Sequence, residues 1–124
     1  MAARILLVED EPQLRDLLQK YVTRLGFEVD AYPRALDALQ SYEAGVRRYQ
    51  LVIADLGIPD MPGDALLTRM LNLNPSQLIL ICSGSPFNVS NLPETMQAQV
   101  RFLQKPFVPK MLAEAIEDLL SNRR

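Results

Sequence analysis

An alternation constrains this chain more than any other feature. Five short apolar segments, Arg4 to Val8, Glu28 to Tyr32, Gln50 to Ala54, Leu78 to Cys82 and Val100 to Leu103, recur every 22 to 28 residues, and the stretches between them carry helical periodicity. The first, third and fourth segments are nearly continuous aliphatic runs, which suits strands buried on both faces of a parallel sheet. Leu14, Leu17, Leu18, Tyr21, Val22 and Leu25 share one helical face, with Pro12 placed for the first turn and Gly26 for the stop. Ala35, Leu36, Leu39 and Tyr42 mark a second helix that ends near Gly45. Ala65, Leu66, Met70 and Leu71 mark a third, after Pro62-Gly63. Met111, Leu112, Ala115, Ile116, Leu119 and Leu120 give the last helix its apolar stripe. From Asn88 to Gln99 the pattern weakens: Pro93 interrupts it and Val89, Leu92 and Met96 are sparse, so the fourth helix is expected to be short or irregular. Strand and helix alternating through short links imply right-handed crossovers and an α/β fold, a doubly wound five-stranded parallel sheet with helices on both faces.

With 124 residues, 48% of them apolar, the chain is expected to fold around one core as a single domain over residues 1–124, with a polar tail at 121–124 and no output domain. No apolar run approaches the roughly 20 residues needed to cross a bilayer. Met1-Ala2-Ala3-Arg4 is followed by only four apolar residues and then by Glu9-Asp10-Glu11, which does not fit a signal peptide. The expected location is therefore cytoplasmic, with no membrane contact. Thirteen basic against 15 acidic residues, net −2, argue against direct nucleic-acid binding. The absence of histidine excludes histidine-ligated zinc, Ser-His-Asp and Cys-His catalysis, and a histidine phosphodonor within the chain. Cys82, the single cysteine, lies in an apolar run and reads as a small buried residue.

Ligands of such open sheets bind beyond the carboxyl ends of the strands. The residues there are Glu9, Asp10 and Glu11 after the first strand, Asp55 after the third, Ser83, Gly84 and Ser85 after the fourth, and Lys105 and Pro106 after the fifth. The second strand ends in Tyr32-Pro33-Arg34 and contributes no acid. Each has a plain structural reading: acids before a helix complement its dipole, Asp55 fits a turn, Ser83-Gly84-Ser85 a loop, and Lys105 a solvated charge before a helix-opening proline. Together they favour chemistry, because three carboxylates, a hydroxyl and a lysine converge on one rim where packing needs none of them. Glu9, Asp10 and Asp55 form an all-oxygen set suited to a hard divalent cation, Mg²⁺ better than Ca²⁺ given few protein ligands. Asp55 could then be a nucleophile towards a phosphoryl group, with Lys105 neutralising its oxygens and Ser83 donating a hydrogen bond. Lys105 would need its full reach, since the first and fifth strands are expected to lie roughly 14 Å apart.

Three stretches, Ile5-Leu6-Leu7-Val8-Glu9-Asp10-Glu11-Pro12, Asp55-Leu56-Gly57-Ile58-Pro59-Asp60-Met61-Pro62-Gly63 and Phe102-Leu103-Gln104-Lys105-Pro106-Phe107, resemble in order and spacing the signatures of two-component response-regulator receiver domains. The resemblance covers essentially the whole chain. It implies a flavodoxin-like sheet of order 2-1-3-4-5, with Asp55 as phosphoacceptor. It further implies Mg²⁺ held by Asp10, Asp55 and the backbone carbonyl of Gly57, with Glu9 acting mostly through water. Ser83 matches the hydroxyl position, Gly84 the small residue after it, Lys105 the site lysine and Phe102 the aromatic switch, and the Lys105-Pro106 bond is expected to be cis. Glu11 is left as a helix-end acid.

The reaction this implies is phosphoryl transfer to Asp55 from a phosphohistidine on a histidine kinase or histidine phosphotransfer protein, followed by self-catalysed hydrolysis, in a signalling domain rather than an enzyme. Phosphorylation would draw Ser83 inward and let Phe102 follow, biasing the face of helix four, strand five and helix five, a face that could also pair two copies. Pro93 and the run Ser85 to Ser90 depart from the usual pattern there. Glu9-Asp10-Glu11 does not match the Asp-x-Asp of haloacid-dehalogenase-like phosphatases, would repel a flavin phosphate, and is accompanied by no Gly-x-Gly-x-x-Gly. The alternative kept is a receiver-like interaction module that is never phosphorylated.

Overall fold

The computed structural model describes residues 3–85, 87, 90 and 92–121. Five strands, β1 (Arg4–Val8), β2 (Glu28–Tyr32), β3 (Leu51–Ala54), β4 (Leu78–Ser83) and β5 (Val100–Gln104), alternate with α1 (Pro12–Arg24), α2 (Ala35–Ala44), α3 (Gly63–Leu73), α4 (Glu94–Gln97) and α5 (Pro109–Ser121). All strand pairs are parallel and the sheet order is 2-1-3-4-5. The expected architecture is observed, with strand ends displaced by one residue at most.

Side chains alternate across the sheet, as a period of two requires. Leu6, Val8, Val52, Ala54, Ile79 and Ile81 point into a core covered by α2 and α3; Ile5, Leu7, Leu51, Ile53, Leu78, Leu80 and Cys82 point into one covered by α1 and α5. Burying each leucine, isoleucine or valine of these sets contributes about 1.5–3 kcal/mol. The helices bury narrower stripes than their periodicity suggests: Leu17, Leu36, Ala65 and Met111, expected on core-facing stripes, are exposed. Leu17 and Met111 border surface grooves beside α5, so their apolar surface is only partly covered.

Gly26 ends α1 with φ +103°, a conformation that L side chains avoid, and its N–H closes the helix on the Thr23 carbonyl. Gly63 opens α3 for a different reason. A Cβ there would lie 2.7 Å from Leu56 Cβ and 2.9 Å from its Cα, so helix and preceding loop approach too closely for any side chain.

α4 is a single turn with no buried residue, as the weak periodicity predicts. Its side is packed instead by half-buried Phe87, Leu92 and Met96, while Val89 lies outside the described residues. Of the residues expected to form a polar tail, Ser121 belongs to α5, and residues 122–124 lie outside the described residues. No described helix is long and apolar enough to cross a membrane.

Candidate functional site

Parallel strands place their carboxyl ends on one rim, and the residues just beyond β1, β3, β4 and β5 meet there. Glu9 follows β1 and stays on the sheet edge because its N–H donates to the Tyr32 carbonyl (3.1 Å). Its side chain is buried, a costly position for a carboxylate without partners. The partners are Lys105, whose Nζ donates to Oε1 (2.8 Å), and the Glu11 N–H, which donates to Oε2 (3.2 Å). Glu11 stands in the capping position of α1 and serves here through its backbone, its side chain making no cap.

Asp55 sits one residue past β3, its N–H bonded to the Val8 carbonyl at 3.1 Å. Oδ1 accepts from the Gly57 N–H (2.9 Å), which turns the chain sharply and leaves Gly57 exposed at the mouth of the site. Oδ2 accepts from Lys105 Nζ at 2.9 Å. The Lys105 ammonium is therefore shared between carboxylates 46 positions apart in the chain. Burial pulls it down, but Glu9 and Asp55 outweigh burial and hold it above the ordinary lysine range, so it is charged at neutral pH. Burial pushes Glu9 up against the opposing pull of Lys105 and the Glu11 N–H. Lys105 is positioned by its own N–H, which donates to the Ser83 carbonyl (2.9 Å), and the Lys105-Pro106 bond is cis.

Asp10 is exposed and makes no hydrogen bond or ion pair among the described residues. One carboxylate oxygen from each of Glu9, Asp10 and Asp55 lies within 4.8 Å of the others. Three carboxylates against one ammonium leave two uncompensated negative charges in a ring of hard oxygen donors. That donor set fits a small divalent cation, with Asp10 exposed on the solvent side.

Ser83 ends β4, buried, with Oγ accepting from the Ser85 N–H (3.2 Å). A Cβ on Gly84 would meet nothing within 4 Å, so alanine would fit there. Phe102, half-buried, packs against the core on the α2–α3 side, opposite Ile81 in the register. Glu9, Asp10, Asp55 and Lys105 are thus brought together, Ser83 and Gly57 flank them, and Phe102 lies further along β5. The sequence reading missed Asp60, which bridges this rim to α2. The absence of a capping side chain at Arg34, just before α2, is the signal that could have pointed to it.

A family model described as "response regulator receiver domain" matches residues 5–117. Among curated proteins, the chain is similar to the chemotaxis protein CheY of Thermotoga maritima, 27% identical over 121 residues, covering 94% of this chain and 96% of that protein. It is also 29% identical over 124 residues to the sensor kinase CckA of Brucella abortus, covering 98% of this chain but 13% of the kinase. Among solved structures, the response regulator TrrA of Thermotoga maritima in complex with Mg²⁺-BeF superposes with a TM-score of 0.81 at 28% identity, covering 95% of this chain and 99% of that one. Such domains therefore occur as nearly entire proteins and as segments of far longer ones.

Proposed function

This chain belongs to the response-regulator receiver family of two-component signal transduction, and from that premise we propose that Asp55 is the residue that takes up the phosphoryl group. The observation that carries this reading is the single ammonium of Lys105 held 2.8 Å from Glu9 and 2.9 Å from Asp55 beside an unpaired Asp10. That arrangement stores negative charge at one point and sets a cation beside the oxygen that would attack.

Asp55 supplies a carboxylate oxygen that forms a bond to phosphorus as the bond from phosphorus to the donor imidazole nitrogen breaks, returning neutral histidine once that nitrogen is protonated. Lys105 neutralises the phosphoryl oxygens in line with Oδ2, and Ser83 donates its hydroxyl hydrogen to one of them. Mg²⁺, held by Asp10, Asp55 and the Gly57 carbonyl with Glu9 acting through water, would supply the remaining charge neutralisation, as the Mg²⁺-BeF complex of TrrA supports. Few protein ligands imply binding on the order of high micromolar to millimolar. The chain itself contributes position and charge, and hydrolysis of the acyl phosphate by water resets it. Movement of Ser83 towards the phosphate, followed by Phe102, would bias the α4-β5-α5 face. The donor is a histidine kinase or histidine phosphotransfer protein in the cytoplasm, and residues 1–124 act as one receiver domain. Pairing of two copies through α4-β5-α5 and the absence of nucleic-acid contact belong to the same reading.

Incubation with a small phosphodonor and Mg²⁺, read by intact-mass spectrometry, tests it. One phosphoryl adduct is expected on the parent chain and none on Asp55→Asn. An equal adduct on the variant would overturn Asp55 as acceptor. A parent chain that takes up nothing, from a small donor or a phosphorylated kinase, would leave the non-phosphorylated interaction module.

A further inference from the structure

We propose that Asp60 is a positioning residue of this site: it ties the β3–α3 loop to the N-terminus of α2 and thereby fixes the backbone of Gly57. The inference rests on the reading of Gly57 as a carbonyl ligand and extends it to a residue outside the cluster. Asp60 Oδ1 accepts from the Ala35 N–H (2.9 Å) and Oδ2 from the Leu36 N–H (2.9 Å). These are the first two N–H groups of α2, which have no partner within the helix. The residue in the capping position, Arg34, has extended backbone angles and makes no side-chain cap. The cap is therefore delivered from 25 residues further along the chain, by the loop that carries Asp55. The Leu36 N–H holds the Asp60 carboxyl below its ordinary range, helped by the Ala35 N–H and by Arg34, so the tie stays charged at working pH.

Between Gly57 and Asp60 the chain has little freedom to absorb movement. Ile58 is 4% exposed and locked in the α2–α3 core, and the following proline biases it to extended angles. Pro59 has a fixed φ. Beyond Asp60, Gly63 closes against Leu56, so the loop returns onto its own base. A stiff four-residue link thus joins the Gly57 carbonyl to a bidentate bond at the end of α2. That end of α2 belongs to the site rim, since β2, which precedes it, pairs with β1 up to Val8–Tyr32. A cap serving α2 alone would need no such connection.

The test compares Asp60→Ala, Asp60→Asn and Gln40→Gly in the full chain. Gln40 is exposed in the second half of α2, so its replacement weakens the helix and spares both the tie and the core under Ile58. Mg²⁺ affinity is measured by calorimetric titration, and exchange of the Gly57 amide, which bonds Asp55, by NMR without metal. Asp60→Ala is expected to weaken Mg²⁺ binding about tenfold, the lower end of the scale of losing an outer-shell partner, and to accelerate Gly57 exchange. Asp60→Asn, which keeps one acceptor, should recover part of both, and Gln40→Gly should leave both within about twofold of the parent. Affinity and exchange unchanged in Asp60→Ala, or equally changed in Gln40→Gly, would overturn the proposal. If the parent binds no Mg²⁺, the metal reading fails by itself, and Gly57 exchange still decides whether Asp60 positions the loop.

Discussion

Lys105 Nζ lies 2.9 Å from Asp55 Oδ2, although β5 and β3 are separated by the whole of β4. The side chain crosses one strand to reach its partner, and the Lys105 N–H bonded to the Ser83 carbonyl sets the origin of that reach. Glu9 is reached by the same ammonium from still further across the sheet, past β3. A shorter side chain at this position could make neither contact.

Lys105→Met keeps the aliphatic stem, which lines an apolar groove with Leu14, Tyr21 and Phe107, and removes only the charge. Glu9 and Asp55 then face each other without a cation. Metal-free stability should fall by about 2 kcal/mol, the scale of losing hydrogen bonds to a charged group in a half-buried site. Saturating Mg²⁺ should restore more stability to the variant than to the parent, because it replaces the missing positive charge. Urea denaturation with and without Mg²⁺ reads both effects, and an equal Mg²⁺ gain in the two proteins would contradict this account of the cluster.

Gly63→Ala is expected to cost about 1–3 kcal/mol through overpacking. The added methyl would meet Leu56 Cβ and Cδ2 at 2.7 Å and its Cα at 2.9 Å, and a backbone atom cannot rotate away. Trimming the neighbour in Leu56→Ala/Gly63→Ala therefore recovers only part of the loss. Urea midpoints of the single and double variants measure this, and full recovery in the double variant would show that the Leu56 side chain alone was the obstacle.

Gly26→Ala should be destabilised for the opposite reason. Nothing lies within 4 Å of its Cβ position, so the cost is the backbone strain of φ +103°, about 1–2 kcal/mol. Asparagine tolerates positive φ better and should cost less than alanine here, whereas at Gly63 the larger asparagine should cost more. Ranking the four variants by urea midpoint separates strain from crowding.

The fold was legible because β1, β3 and β4 are buried on both faces and so carry uninterrupted aliphatic runs, while the intervening stretches keep a helical period. Strand-end chemistry was legible for the same reason: once the strands are placed, Glu9, Asp55 and Lys105 must share a rim. What periodicity does not contain is the width of a buried stripe. Leu17 and Met111 belong to the right helices but stand beside grooves that no described element fills. Asp60 was legible only as a missing cap at Arg34, because its partners, the amides of Ala35 and Leu36, have no side-chain signature that names it. The same holds for Tyr42, whose hydroxyl donates to the buried Gln77 side chain at 2.8 Å, and for Tyr49, which donates to Asp30 at 2.6 Å. Periodicity sets Tyr42 on the apolar stripe of α2 without naming a partner for its hydroxyl, and only tertiary structure pairs these polar groups.

Those buried groups set how the protein responds to alkali. Burial pushes the Cys82 thiol from its ordinary 9.0 up to about 12 and the Tyr42 phenol from 10.0 up to about 12; burial followed by the bond to Asp30 raises Tyr49 as well. In the unfolded chain Cys82 loses its proton near pH 9 and the tyrosines near pH 10, while the folded chain keeps them. The unfolded state then binds fewer protons, so stability is whole below pH 9 and falls as pH rises towards about 12. Each group contributes a slope of at most about 1.4 kcal/mol per pH unit within its own window. Lys105, held above its ordinary value, loses its contribution at the same end, so assignment depends on differences between variants. Cys82→Ala should flatten the decline that begins near pH 9, and Tyr42→Phe the part that begins near pH 10, each at some cost to stability at neutral pH. Urea denaturation of the three proteins at pH steps from neutral to strongly alkaline measures the slopes, and parallel curves for parent and variants would refute the assignment.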